Sequence, residues 1–337
     1  MDKQHPHFRA PGLSRRGFLR AAVSTLGAAR AMGGEHGDPP KTETPPLRLR
    51  PGEPPSRVVQ LRSDRVVDGP HVHRGRLQLM LEDALCVLTR SDSSADAWRK
   101  LLEPRDVVGL KFNHTGQTAL GTTPVFADAV VESLVSAGWD PKQLILLEAP
   151  AATAAKWQTT PAWEGFEDDE TAFASGADHL IKALRQVNAL VSVPFLKTHN
   201  IAGITGSMKN ISHAFVKHPG RYHGGGCSPF IPDILAIPAI RSKLKLCLVD
   251  GLRAVVRGGP EAQPFGIRDA GYVLASTDPV AVDAHAVTIL NQLRGELGLG
   301  RLAATPESIP HLRVAHEKGL GIALPHGIDV VSVPAAD

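Results

Sequence analysis

Short apolar runs alternate with amphipathic segments from about residue 56 onward. "SRVVQLRSD" from Ser56, "DVVGLKFN" (106–113), "QLILLE" (143–148), "NALVSVPFL" (188–196), "KLKLCLVDG" (243–251), "GYVLAST" (271–277) and "IDVVSV" (328–333) are rich in β-branched and aliphatic side chains. Each is closed by polar punctuation, the mark of a buried strand. Between them, apolar residues recur at helical spacing in "RLQLMLEDALCVL", "TPVFADAVVESLVSAG", "SMKNISHAFVK", "DPVAVDAHAVTILNQL" and "TPESIPHLRVAHEKG". Thr123 before Pro124 and Asp278 before Pro279 read as N-caps, and Gly138 as a stop. Continuous apolar strands alternating with helices predict an α/β fold, a mostly parallel sheet with helices on both faces, in one or two lobes. Ligands of such folds gather at the carboxyl ends of strands. Four polar points fall there: Lys111–Asn113, Glu148, Lys197–His199 and Asp250–Gly251. "KWQTTPAWEGFEDDE" is irregular, with two tryptophans, and reads as a covering loop.

The first 55 residues lack this alternation. "SRRGFLR" (Ser14–Arg20) leads into a short, alanine-rich apolar run that ends in "ARA" at Ala29–Ala31. A basic region, a modest apolar region and small residues at a cleavage point predict a secretory signal, and the paired arginines predict its twin-arginine form. The expected organisation is a signal over 1–31, a disordered Pro/Gly-rich tether over 32–55 and an α/β domain over 56–337. The protein is then expected outside the cytoplasm, in the periplasm or its equivalent, with the twin-arginine machinery as an export partner. The apolar run is too short for a stable membrane span.

Composition changes the picture once the signal is set aside. The whole chain carries a net charge of +3 from 37 basic and 34 acidic residues. Removing 1–31 takes six of the basic residues and one of the acidic, leaving 31 and 33, a net of −2. The apparent basicity belongs to the leader, aromatics make up only 5% of the chain, and no nucleic-acid partner is expected. Cys86, Cys227 and Cys247 show no C-x-x-C spacing, so no iron–sulfur cluster is expected in this chain. Cys86 and Cys247 sit in apolar runs and read as buried thiols, with the disulfide state of all three open.

Four of the fifteen histidines fall in "FLKTHNIAGITGSMKNISHAFVKHPGRYHGGGC" (195–227): His199, His213, His218 and His223. Lys197 and His199 follow a buried strand. A glycine-bearing turn leads into the predicted helix "SMKNISHAFVK", where Met208, Ile211 and Phe215 form a core stripe and Lys209 and His213 share another face. Free amides at the start of that helix favour an anionic group, and Lys209 in its first turn opposes the helix dipole unless an acid compensates. Asp283 is expected to be buried and to need a partner. His285 points elsewhere.

"VPFLKTHNIAGITGSMKN", "LVDGLRAV" and "ASTDPVAVDAHA", in this order, resemble domain-of-unknown-function family 362, over roughly Arg105 to Leu290. Many members of that family are exported or carry ferredoxin-type modules, and the acid common before its Gly-x-Gly-Pro-like turn is here Arg257. "HNIAGITGSMK" is also similar to a segment of lactate racemase-like proteins, with Ser207 and Met208 in place of Gly and Arg. That resemblance implies His199 as a proton-transferring base and Lys209 as anchor of a nickel pincer nucleotide. It implies His218 or His223 as a metal ligand and His114 as a candidate second histidine. Together these readings predict an enzyme acting on a small anionic substrate by proton transfer or redox chemistry, isomerase-like. His199, Lys197 and Lys209 are its candidate catalytic residues, and Lys111, Asn113, Asn210 and Asp250 its candidate substrate-binding residues. The alternative is a non-catalytic ligand-binding or accessory protein of an exported redox complex, with a redox partner.

Overall fold

The computed structural model describes residues 47–334. The signal expected over 1–31 and the tether residues 32–46 lie outside the described residues. The body begins ahead of Ser56: Arg50 donates to the His316 carbonyl at 2.8 Å, and the Arg48 carbonyl bonds the His316 ring at 2.9 Å.

Nine strands form one sheet: β1 (Ser56–Arg62), β2 (Val108–Lys111), β3 (Leu144–Leu147), β4 (Ala189–Ser192), β5 (Phe195–His199), β6 (Gly203–Ile204), β7 (Leu244–Val255), β8 (Ile267–Ser276) and β9 (Ile328–Pro334). Their order is β9-β1-β8-β7-β4-β2-β3, with β5 also beside β7 and β6 on β5. Pairing is parallel except for β1 with β8, β7 with β8, and β5 with β6. The sheet is mostly parallel, as the uninterrupted apolar runs predict.

Alternate residues of each strand serve the two faces. Val58, Leu190, Val249 and Leu274 face α4 (Pro279–Glu296) and α5 (Pro310–Glu317), whereas Val59, Val191, Leu248 and Val273 face α1 (Arg74–Thr89) and α2 (Thr123–Ser136). Helices therefore cover both faces, and the described residues form one compact unit with no second lobe. Helix α2 starts one residue earlier than the Thr-Pro pair predicts, with Thr122 at its cap. No helix among the described residues is long and apolar enough to cross a membrane.

Three departures from the expected pattern shape the site. "NALVSVPFL" is not one strand: Pro194, unable to donate to a ladder, divides it into β4, which pairs with both β2 and β7, and β5, which keeps β7 and leaves β2. Lys197, Thr198 and His199 thus lie within a buried strand instead of a polar turn. Strand β7 runs on to Val255, so Asp250 sits inside it, beyond Cys247, where the pairing with β4 ends. "SMKNISHAFVK" is broken as well. Only α3 (Gly206–Asn210) is α-helical, and a separate 3-10 turn covers His213–Phe215. Met208, Ile211 and Phe215 are all buried as expected, but Lys209 falls in a last turn, where its charge suits the dipole.

Helix α3 is held by α4. The Asp283 carboxylate accepts from Ser207 N at 2.6 Å and Met208 N at 3.0 Å, so it fills the anion position that the glycine turn creates. Gly206, at φ +56, leaves the room: a Cβ there would stand 2.4 Å from that carboxylate. Asp278 caps α4 itself, accepting from Val280 N and Ala281 N. Asp283→Ala is expected to strand two buried amides and lower the unfolding free energy by about 3 kcal/mol. A lower urea midpoint at unchanged slope is the readout; an unchanged midpoint would show that α3 is held otherwise.

Candidate functional site

Strands β2 and β5 and helix α3 bring five sequence-predicted residues, Lys111, Asn113, Lys197, Lys209 and Asn210, to one region. Asn210 is its hub. Its amide nitrogen donates to the Lys111 carbonyl (2.9 Å) and Ser192 Oγ (3.2 Å). Its oxygen accepts from Lys111 Nζ (3.2 Å) and Asn113 Nδ2 (3.3 Å). These four bonds use the whole side chain, so Asn210 positions its neighbours. Lys111, buried, reaches Glu148 Oε2 at 2.9 Å and the Phe112 carbonyl at 2.5 Å. Burial lowers its pKa, and Glu148 works against the shift.

Lys197 is arranged differently. Its amine, on a residue with no exposure, donates to Asn113 Oδ1 at 3.1 Å and to the Thr115 carbonyl at 2.8 Å, both neutral acceptors. Desolvation brings its pKa down to about 7; Glu261 opposes the shift, while Lys209 and Lys111 add to it. In the neutral form two N–H groups are engaged and one lone pair is left over. Thr115 lines a cleft of about 370 Å³ with His114, Glu261 and Ala262, so the amine is bonded to a residue of the cleft wall.

Beyond β5 the imidazoles gather. His199 Nδ1 accepts from the amides of Ile201 and Ala202, each at 3.2 Å, which leaves the proton on Nε2. Burial first, and then Lys209, His223 and Lys197, push its pKa down to about 3. His199 also lines a cleft of about 190 Å³ with Gly259 and Arg294. The His223 ring stacks against it with centroids 5.8 Å apart. The second uncompensated amine, Lys209 Nζ, lies 3.3 Å from His223 Nε2. His213 stands edge-on to His223 at 5.0 Å, its pKa pushed down to about 2 by burial and Lys209.

Other predicted residues stand apart. Asp250 accepts from Thr122 Oγ1 at 2.6 Å and from Leu252 N at 3.3 Å, so its carboxylate holds the start of α2. His218 pairs with the buried Asp178 at 2.9 Å and takes no part in the imidazole cluster. His114 contributes its backbone N–H to Glu148 and borders the 370 Å³ cleft. His285 bonds Gln60 at 2.7 Å. Cys86, Cys227 and Cys247 are all free thiols. Trp163 of the expected covering loop is 54% exposed.

Sequence reasoning passed over Cys227 and His311. Cys227 lies close to His213 and His223, and His311 is fully buried. A cysteine after three glycines was the available signal for the first; His311, on α5, gave none beyond its type.

Residues 171–288 match the family model described as Domain of unknown function (DUF362). The matched part holds Lys197, His199, Lys209, Asn210 and the His213–Cys227 loop. It starts well after Arg105, so Lys111 and Asn113 fall outside it. No curated protein matches the chain, and nothing in these comparisons carries the lactate racemase resemblance.

The buried histidines make stability depend on pH. A histidine whose pKa is depressed in the native state contributes fully only above its unfolded value near 6.5, and that contribution is lost as the pH falls toward the native value. His199, His213, His285 and His311 act this way, with native values of about 3, 2, 4 and 3. Asp250 and Asp283, each raised to about 7 by burial, act oppositely between their unfolded value and pH 7, but they are two against four. Unfolding free energy is expected to rise with pH between about 4.5 and 6.5. Urea titrations across that range check it; a falling trend would contradict the protonation states above.

Proposed function

We propose that this protein is an enzyme that moves a proton on a small carboxylate- or phosphate-bearing molecule, with Lys197 as the proton-transferring base. The observation that carries the reading is the Lys197 amine: buried, bonded only to neutral oxygens, and tuned to about 7. Buried lysines without a carboxylate partner are costly as ammonium ions, and this cost favours either a neutral base or an anionic ligand. Lys197 and Lys209 supply one of each.

In this reading neutral Lys197 takes a proton from carbon, and the C–H electron pair passes into the adjacent carbonyl as an enolate. Lys209 and the Nε2–H of His199 offer charge and a hydrogen bond to the developing oxyanion. The ammonium of Lys197 returns the proton, which completes an isomerisation with no net redox change. His199 serves as donor and not as base, because the Ile201 and Ala202 amides occupy its Nδ1. Lys111, Asn113 and Asn210 hold Lys197 in place.

Solvent-hydrogen exchange by NMR on a panel of 2-hydroxy and 2-oxo acids in D₂O tests the reading. Exchange is expected to rise with pH through about 7 and to fall by 10²–10⁴-fold, roughly the worth of a general base, in Lys197→Met. An independent check titrates ¹³C-methylated lysines: a Lys197 resonance titrating near the ordinary lysine value would remove the proposal.

Arg15–Arg16 and the run ending at Ala31 support action outside the cytoplasm. Replacing both arginines by lysine is expected to leave an exported reporter fusion inside the cell; undiminished export would refute the twin-arginine route.

A further inference from the structure

We propose that His213, His223 and Cys227 form a site for one divalent d-block cation of the zinc class. One donor atom from each residue lies within 4.8 Å of the other two. Donors around a single tetrahedral ion stand roughly 3.3–3.8 Å apart, so the three need to close by about 1 Å.

Each imidazole already has one nitrogen committed to a backbone carbonyl. His213 Nε2 bonds the Tyr222 carbonyl at 3.0 Å, and His223 Nδ1 bonds the Pro219 carbonyl at 3.0 Å. These bonds set the tautomers and place the lone pairs on His213 Nδ1, which now accepts from Ser212 Oγ at 3.3 Å, and on His223 Nε2, so a cation displaces the hydroxyl from the first. Metal-bound histidines are oriented in this way, the far ring nitrogen donating to a fixed acceptor.

The third donor is brought in by backbone geometry. Gly225 and Gly226 take φ of 58° and 71°, and Cys227 itself is held at φ 63°. The chain curls so that Cys227, four residues after His223, comes back beside it with its thiol buried.

His311 is fully buried beside Gly226, and neither ring nitrogen has a hydrogen bond of proper geometry, although the Gly226 backbone lies close enough to act on its charge. This imidazole borders the loop and is not one of the three donors. Two imidazoles and a thiolate suit zinc-like ions and exclude magnesium and calcium, which take oxygen. Lys209 Nζ now donates to the His223 Nε2 lone pair, so it competes with the cation. The inference does not rest on the proton-transfer reading.

The test titrates the metal-free full chain with Co²⁺ and then Zn²⁺. One equivalent of Co²⁺ is expected to raise a thiolate-to-cobalt charge-transfer band in the near ultraviolet, which Zn²⁺ abolishes. Cys227→Ser should lose the band, and His213→Ala or His223→Ala should weaken binding by more than about 100-fold, beyond the loss of an outer partner. Lys209→Met should tighten it, and His218→Ala, outside the cluster, should leave it unchanged. Melting in chelator verifies that Cys227→Ser is folded, and Zn²⁺ should then raise Tm in the wild type alone. No band, a band that survives Cys227→Ser, or an equal zinc-induced Tm rise in that variant would overturn the site.

Discussion

A buried carboxylate against two backbone amides decides where the site stands. Asp283, on α4, receives the first N–H groups of α3 and has no exposure to water. Its burial is expensive, since desolvation lifts its pKa to about 7 against the pull of those amides. The position is held because the amides would otherwise be buried without acceptors. Through this contact Lys209 and Asn210 are fixed relative to α4 and the sheet. Gly206 is part of the same device, being the residue that lets the carboxylate approach.

Charge balance around α3 is uneven. Lys111 has Glu148, and Asp250 has Thr122, so both are satisfied within the fold. Lys197 and Lys209 meet only carbonyl oxygens, an amide and an imidazole. A fold seeking stability alone gains by pairing such groups or replacing them with apolar ones. Two amines without a carboxylate partner, beside three pKa-depressed imidazoles, are therefore the feature that most resembles a working site. The family match covers this cluster and ends just beyond Asp283, so the carboxylate, α3 and the histidine loop fall in one matched segment.

Much of this was legible in the chain. The two-residue period of strand positions such as Val58/Val59 and Leu248/Val249 sorts side chains onto two faces, and the Asp278–Pro279 start of α4 appears where the capping residues place it. Lys197, His199 and Lys209 stood out by residue type, although the first two lie inside a strand and not in a turn after it. The one-strand reading of 188–196 failed at Pro194, and the long helix over 207–217 failed because the α-helix ends at Asn210 and His213 starts a separate turn against the Tyr222 carbonyl.

Local periodicity determined the sheet, its helices and the buried stripe of Met208, Ile211 and Phe215, since those follow from the spacing of apolar groups along a few turns. Tertiary structure alone decided which polar groups meet. It turned the helix-start amides to Asp283, gave His218 to Asp178, and carried Cys227 back to His223. Hydrogen bonds act over about 3 Å, and separations that small, between residues such as Ser207 and Asp283 or Asp178 and His218, are set by chain reversals and packing that no local pattern encodes.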